Sequence, residues 1–132
     1  MHLYNHAVIL EMSWEVEYTD EFGEWWSGLD AEEQISVEAV VEVLAEMGPS
    51  LCFPYRSDVK SSRHGNMREL RVQHRGRPYR VLYAFDPRRV VLLLLGGAKT
   101  NDARWYEKMV PEADLLYDRH LKALNREDDR NA

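Results

Sequence analysis

The first element is marked by alternation. In WEVEY, residues 14–18, Trp14, Val16 and Tyr18 fall on one side and Glu15 and Glu17 on the other, the period of a half-buried strand. The period then lengthens. Phe22, Trp25, Trp26 and Leu29 recur at i, i+3, i+4 and i+7, one face of a short helix for which Thr19 is the N-cap. Asp30 and Glu33 hold capping-box positions for a second helix, with a predicted apolar stripe of Ile35, Ala39, Val40, Val43, Leu44 and Met47. Gly48-Pro49 ends that helix. Both stripes are core-forming patterns.

Beyond a loop over 49–57, the pattern predicts strands near 58–62, 67–74, 79–85 and 90–96, with turns at 74–78 and 86–89. The run VVLLLL, 90–95, does not alternate, as a central strand covered on both faces would not. Thr100 or Asn101 caps a last helical region. Pro111 predicts a break there and a fresh helix, with Ala113, Leu116, Tyr117, His120, Leu121 and Leu124 on its apolar face. The order β-α-α-β-β-β-β-α predicts an α+β domain, a mainly antiparallel sheet with helices packed on one face. It is placed at residues 13–126, after an extension at 1–12 predicted to be disordered and before a polar tail at 127–132.

A chain of 132 residues is one domain with room for a modest core. Its longest apolar run is strand-sized, so no membrane is expected as a partner. One cysteine, Cys52, excludes an internal disulfide and fits a reducing compartment, which makes the cytoplasm the expected location. Charge changes the picture more. The net −6 hides a segregation: residues 1–50 hold twelve Asp/Glu and no Lys or Arg, whereas 51–89 hold ten Lys/Arg against three Asp/Glu. The middle third suits a polyanion.

Its cations lie on an alternating hairpin, RELRVQHRGRPYRVLYAF, residues 68–85. A two-residue turn at Gly76-Arg77, or a four-residue turn at 75–78, pairs Val72 with Val81 and Leu70 with Tyr83 on the core face. Arg71, Gln73, Arg80 and Leu82 then share the other face, with Arg71 and Arg80 as diagonal neighbours projecting together to solvent. Two guanidiniums at that spacing repel unless a phosphate bridges them. Lys60, Arg63 and His64 lie just upstream. Lys99 and Thr100 precede the last helix, and Trp105 and Tyr106 could stack on bases from its first turn.

No HExxH, paired-cysteine, nucleophile-elbow or GxxxxGK sequence is present, and most carboxylates sit in helices away from the basic segment. Metal and cofactor chemistry is therefore not expected. What remains suits RNA, whose 2′-hydroxyl can attack the neighbouring phosphate when a base takes its proton, cations stabilise the phosphorane and a donor meets the 5′-leaving oxygen.

SRHGNMRELRVQHRGRPYRVLYAFDPRR, followed by LLLLGGAKTNDARWYEKMVPEADLLYDRHL, resembles the RelE/HigB-type toxins of bacterial type II toxin–antitoxin modules, in their phage-derived, HigB-like branch. The resemblance covers about 14–124 and rests on ELR, PYRVLY and the GxKT turn. It implies a compact RelE-like microbial-ribonuclease fold and metal-independent mRNA cleavage in the ribosomal A site, with the 30S or 70S ribosome as a partner. It also implies neutralisation by a cognate antitoxin with a helix-turn-helix DNA-binding domain. By position, Arg80 falls on the family's phosphate-stabilising arginine, Arg71 in its basic strand and Tyr106 near a C-terminal aromatic. Lys99 falls where members carry paired lysines, and Thr100 replaces the second. His64 and Lys60 are the candidate bases, while Arg63, Arg68, Gln73, Thr100 and Trp105 are candidate RNA contacts. Two other readings share this fold: a ParE-like gyrase poison, and a non-catalytic module that only binds an antitoxin.

Overall fold

The computed structural model describes residues 13–99 and 104–131. Its elements are β1 (Val16–Tyr18), α1 (Asp20–Ser27), α2 (Ala31–Met47), a 3-10 turn (Gly48–Ser50), β2 (Arg56–Asp58), β3 (Arg68–His74), β4 (Arg77–Phe85), β5 (Val91–Ala98) and α3 (Arg104–Asn131). The strands make one sheet in the order β1-β5-β4-β3-β2, antiparallel throughout except for the parallel β1–β5 pair. This is the expected α+β architecture, compatible with a compact RelE-like fold.

The helices, however, occupy both faces. Phe22, Trp26, Val37, Val41 and Leu44 of α1 and α2 pack on Leu70, Val72, Val81, Tyr83, Val91 and Leu93. Val110, Ala113, Leu116 and Tyr117 of α3 pack on Leu82, Ala84, Leu92 and Leu94. The expectation of helices on one face is corrected by β4 and β5, which are apolar at both parities and so need two covers.

Caps follow the sequence closely. The Thr19 hydroxyl accepts from the Phe22 amide at 3.0 Å and donates to the Leu94 carbonyl at 2.7 Å, tying the start of α1 to β5. Asp30 and Glu33 form the reciprocal capping box, at 2.8 and 2.9 Å. The phase of α2 differs from the prediction. Val37, Val41, Leu44 and Ala45 are its buried residues, whereas Ile35 is 67% exposed and Ala39 and Met47 are also exposed. A helix with valines at 37, 40, 41 and 43 is apolar over most of its circumference, so periodicity alone chose the wrong edge. At its end Gly48, with φ 56°, leaves room for the Trp14 ring; a Cβ there would lie 2.2 Å from Trp14 Nε1.

Three further boundaries move. The strand expected at 58–62 forms earlier, at Arg56–Asp58. The β3–β4 turn is Arg75-Gly76, both at positive φ, one residue ahead of the expected pair. Pro111 lies inside a single α3, which also carries residues 127–131 of the expected tail as helix. Its missing amide costs hydrogen bonding, but Val110 and Ala113 on either side of it are buried against the sheet, and that packing holds the helix together.

The β4–β5 turn is anchored by Asp86, which is buried. Its carboxylate accepts from the amides of Arg88 and Val90 at 2.8 and 3.2 Å, from the Arg88 guanidinium at 2.6 Å and from His120 Nε2 of α3 at 2.8 Å. His120 is thus a satisfied structural histidine, as its place on the apolar face suggested. Among the described residues no helix is long and apolar enough to cross a membrane.

Candidate active site

The β3–β4 ladder pairs Leu70 with Val81, Arg71 with Arg80 and Val72 with Tyr79. The expected register, Val72 with Val81, is therefore wrong by two residues. The error is even, so each side chain keeps its face. Arg71 and Arg80 become direct cross-strand partners rather than diagonal ones, which brings their Cβ atoms to about 4.5–5.5 Å.

Two like charges so placed need a counter-charge, and Glu69 supplies it. It precedes Arg71 by two residues and hence shares its face. Glu69 Oε1 lies 3.5 Å from Arg71 Nη1 and 3.8 Å from Arg80 Nε. The same oxygen accepts from Ser57 Oγ of β2 at 2.6 Å, and Oε2 accepts from the Tyr106 hydroxyl of α3 at 2.7 Å. The carboxylate is 4% exposed, so three elements close around it.

The expectation that both guanidiniums project to solvent is corrected for Arg80, which is only 3% exposed. Its Nη1 donates to the Tyr79 carbonyl at 3.0 Å, and its Nε has no hydrogen-bond partner among the described residues. The cover is the first turn of α3. Gly97 pairs with Arg80 across β4–β5, and the absence of a side chain there lets Trp105 lie against the strand; a Cβ on Gly97 would be 3.0 Å from Trp105 Nε1. Trp105 meets Tyr106 edge to face at 5.0 Å, and Lys99 Nζ sits 5.0 Å from the Tyr106 ring centre. The Arg71 side chain stays 31% exposed. Burial pushes the Tyr106 hydroxyl above its ordinary pKa, and its bond to Glu69 adds to this, while Arg80 opposes it. At neutral pH Tyr106 is a donor.

The fold thus gathers Arg71, Arg80, Lys99, Trp105 and Tyr106. It takes others elsewhere. His64 Nε2 pairs with Asp118 at 2.8 Å and its ring meets Tyr117 edge to face; Arg63 pairs with Asp118 at 2.6 Å. Asp114, buried, accepts from Ser62 Oγ and the Arg63 amide, so this loop is fastened to α3. Arg68 pairs with Asp58 at 3.2 Å, Lys60 is exposed, and Gln73 is exposed near the hairpin tip. Thr100 lies outside the described residues, as does the extension at 1–12. The basic surplus is also partly consumed: Arg75 pairs with Glu32 of α2, and Arg88 with Glu17 of β1 at 2.8 Å.

Glu69 and Ser57 were missed by the sequence reading, which placed the carboxylates away from the basic segment. One signal was there. A lone acid at i−2 from Arg71 on a strand shares its face, and such an acid amid arginines is a natural counter-ion. Among the described residues no group of three or more His, Cys, Asp or Glu is placed to hold a metal ion.

Comparison with known proteins agrees with the resemblance. The family model for phage-derived Gp49-like proteins (DUF891) matches residues 24–118. The Mycobacterium tuberculosis protein named "Putative toxin HigB2" is 42% identical over 99 residues, 74% of this chain but 49% of its own length. Another from that organism, named "Putative toxin HigB3", is 41% identical over 91 residues, 68% of this chain and 78% of its own. The match to the first therefore spans about half of that relative. No solved structure matches significantly. With ELR and PYRVLY on the paired strands and the family model covering both, the chain belongs to the phage-derived Gp49-like family, among relatives named as HigB-type toxins.

Proposed function

We propose that the protein is the toxin of a type II toxin–antitoxin module and acts as a metal-independent, ribosome-dependent mRNA endonuclease. The observation that carries this reading is the Glu69 carboxylate, held between two arginines and two hydroxyl donors. Glu69 takes the proton of the attacking 2′-hydroxyl. Arg71, the exposed member of the pair, contacts the phosphate and stabilises the charge that grows on its oxygens. Arg80 acts from beneath as a positioning residue, balancing Glu69. Lys99, beside the Tyr106 ring, gives a proton to the 5′-oxygen as its bond to phosphorus breaks, and Tyr106 orients the carboxylate. His64 and Lys60 give up the role of base, since the fold gives His64 to Asp118 and joins Lys60 to none of these groups. The ribosome and its A-site mRNA, the cytoplasm, and a cognate antitoxin with a helix-turn-helix domain follow from the family reading. The acidic side of α2, marked by Glu38 and Glu42, turns away from rRNA in that complex.

The test is induced expression of the wild type and Arg71→Ala, with mRNA 5′ ends mapped. Arg71 is preferred to Arg80 because removing a partly exposed side chain disturbs the buried site less than removing a buried one. Codon-linked cuts in the wild type and their loss in Arg71→Ala are expected; equal cutting by both would refute the assignment. One observation favours a second reading: Arg80 is buried and faces an internal carboxylate, as a purely antitoxin-binding module would allow. Expression without growth arrest, alongside tight antitoxin binding, would select it over the nuclease.

A further inference from the structure

We propose that Phe53 and Arg71 form a stacking shelf for a nucleobase next to the cleaved phosphate. The inference rests on the ribonuclease reading and adds to it a substrate-binding residue. Phe53 is 73% exposed, the most exposed of the large hydrophobic side chains among the described residues. It is not isolated. Arg71 Cζ lies 5.6 Å from the Phe53 ring centre, and the same guanidinium reaches Glu69 at 3.5 Å. A single arginine therefore joins an exposed aromatic face to the buried carboxylate.

The backbone fixes this arrangement. The Arg71 amide donates to the Tyr55 carbonyl at 2.7 Å, extending the β2–β3 ladder by one step beyond Arg56–Leu70 and placing Tyr55 across from Arg71. Ser57, two residues on, faces Glu69 in the same register. Phe53, Tyr55 and Ser57 thus lead in sequence from a solvent-facing rim to the hydroxyl that holds the carboxylate, and Tyr55 is itself 45% exposed. Bases stack on aromatic and guanidinium planes whatever their identity, while an adjacent cation takes the phosphate. The shelf offers both contacts side by side, with Arg71 Cζ 5.6 Å from the Phe53 ring centre. A nucleotide seated there would hold its neighbouring phosphate beside Arg71 and its ribose toward Glu69. An apolar protein segment would use the ring but leave unmatched the one positive charge by which Arg71 and Arg80 exceed Glu69, which is why RNA is the occupant the geometry favours.

The test titrates wild type, Phe53→Leu and Phe53→Trp with a single-stranded hexanucleotide carrying 2′-fluoro sugars throughout, which cannot be cut. A matched set carries one abasic site at each position in turn. Phe53→Leu should bind about tenfold more weakly and Phe53→Trp should recover the loss. At one position, removal of the base should weaken the wild type by the same factor and leave Phe53→Leu no weaker. Equal affinities for wild type and Phe53→Leu, or losses that add at every position, would overturn the shelf. So would a Phe53→Leu protein that keeps its RNA affinity but loses its antitoxin. Mapping of mRNA 5′ ends separates the failures: wild type that makes no cuts removes the nuclease reading and the shelf with it, whereas wild type that cuts, with Phe53 indifferent to RNA, removes the shelf alone.

Discussion

Arg71 and Arg80 face each other directly across the β3–β4 ladder, and the carboxylate that reconciles them comes from Glu69 on the same strand as Arg71. The pair therefore behaves as a triad with one surplus positive charge, of which only the Arg71 end meets solvent.

Removing the central charge should expose the repulsion. Glu69→Gln is expected to lose about 3 kcal/mol, since two guanidiniums are left facing one another at a largely buried site. Adding Arg71→Ala to that variant should return part of the loss. Urea denaturation of the two single variants and the double variant measures the coupling, and strict additivity would show that the arginines do not sense each other through Glu69.

Tyr106→Phe keeps the ring beneath Lys99 but takes a donor from Glu69. About 1–2 kcal/mol of stability should go with the hydroxyl, because a buried carboxylate oxygen loses its partner. Cleavage should slow at least tenfold while the cut sites stay the same. A variant with unchanged rate would confine Tyr106 to a packing role.

The β4–β5 turn sets a pH dependence. Burial pushes the Asp86 carboxyl up, but hydrogen bonds from His120, Arg88 and the Val90 amide outweigh it, and the net shift is downward. A carboxyl lowered on folding adds stability above its unfolded pKa, about 3.9, and that stability is lost as pH falls through the folded value. Asp86→Asn should cost about 2–3 kcal/mol at pH 7 and show a shallower loss of stability below pH 4. Thermal melts from pH 3 to pH 7 check it; parallel curves for the two proteins would contradict the role given to the charge.

The proline within α3 makes an opposite forecast. Pro111 is exposed and interrupts the hydrogen bonding of a helix that is otherwise continuous. Pro111→Ala should raise stability by about 1–3 kcal/mol, with Tm rising by several degrees. A lower Tm would mean that the proline is needed to set the path of the helix.

What the sequence disclosed was chiefly local. Thr19, Asp30 and Glu33 announce their helices because a cap and its partner lie within three residues, and the alternation of 68–85 marks its two strands. Less local features were harder to see. The stripe of α2 was misplaced because valines surround most of the helix. The hairpin register was off by two because Arg75 adopts a positive φ that its residue type does not advertise. Glu69 went unnoticed because its partners, Ser57 and Tyr106, are 12 and 37 residues away, and His64 looked available because Asp118 is 54 residues away. Helices on both faces could have been expected from VVLLLL alone.

The parallel seam between β1 and β5 has a consequence for the order of assembly. Val16 must find Val91, whereas β3, β4 and β5 are joined by tight turns, so the seam closes a far longer loop and carries the greater entropic toll. The three-stranded meander should form early and the amino-terminal strand should dock late. A polypeptide emerging from its own ribosome would then carry both arginines in a half-built sheet, with Tyr106 still to come, and would gain its finished site only once α3 had followed.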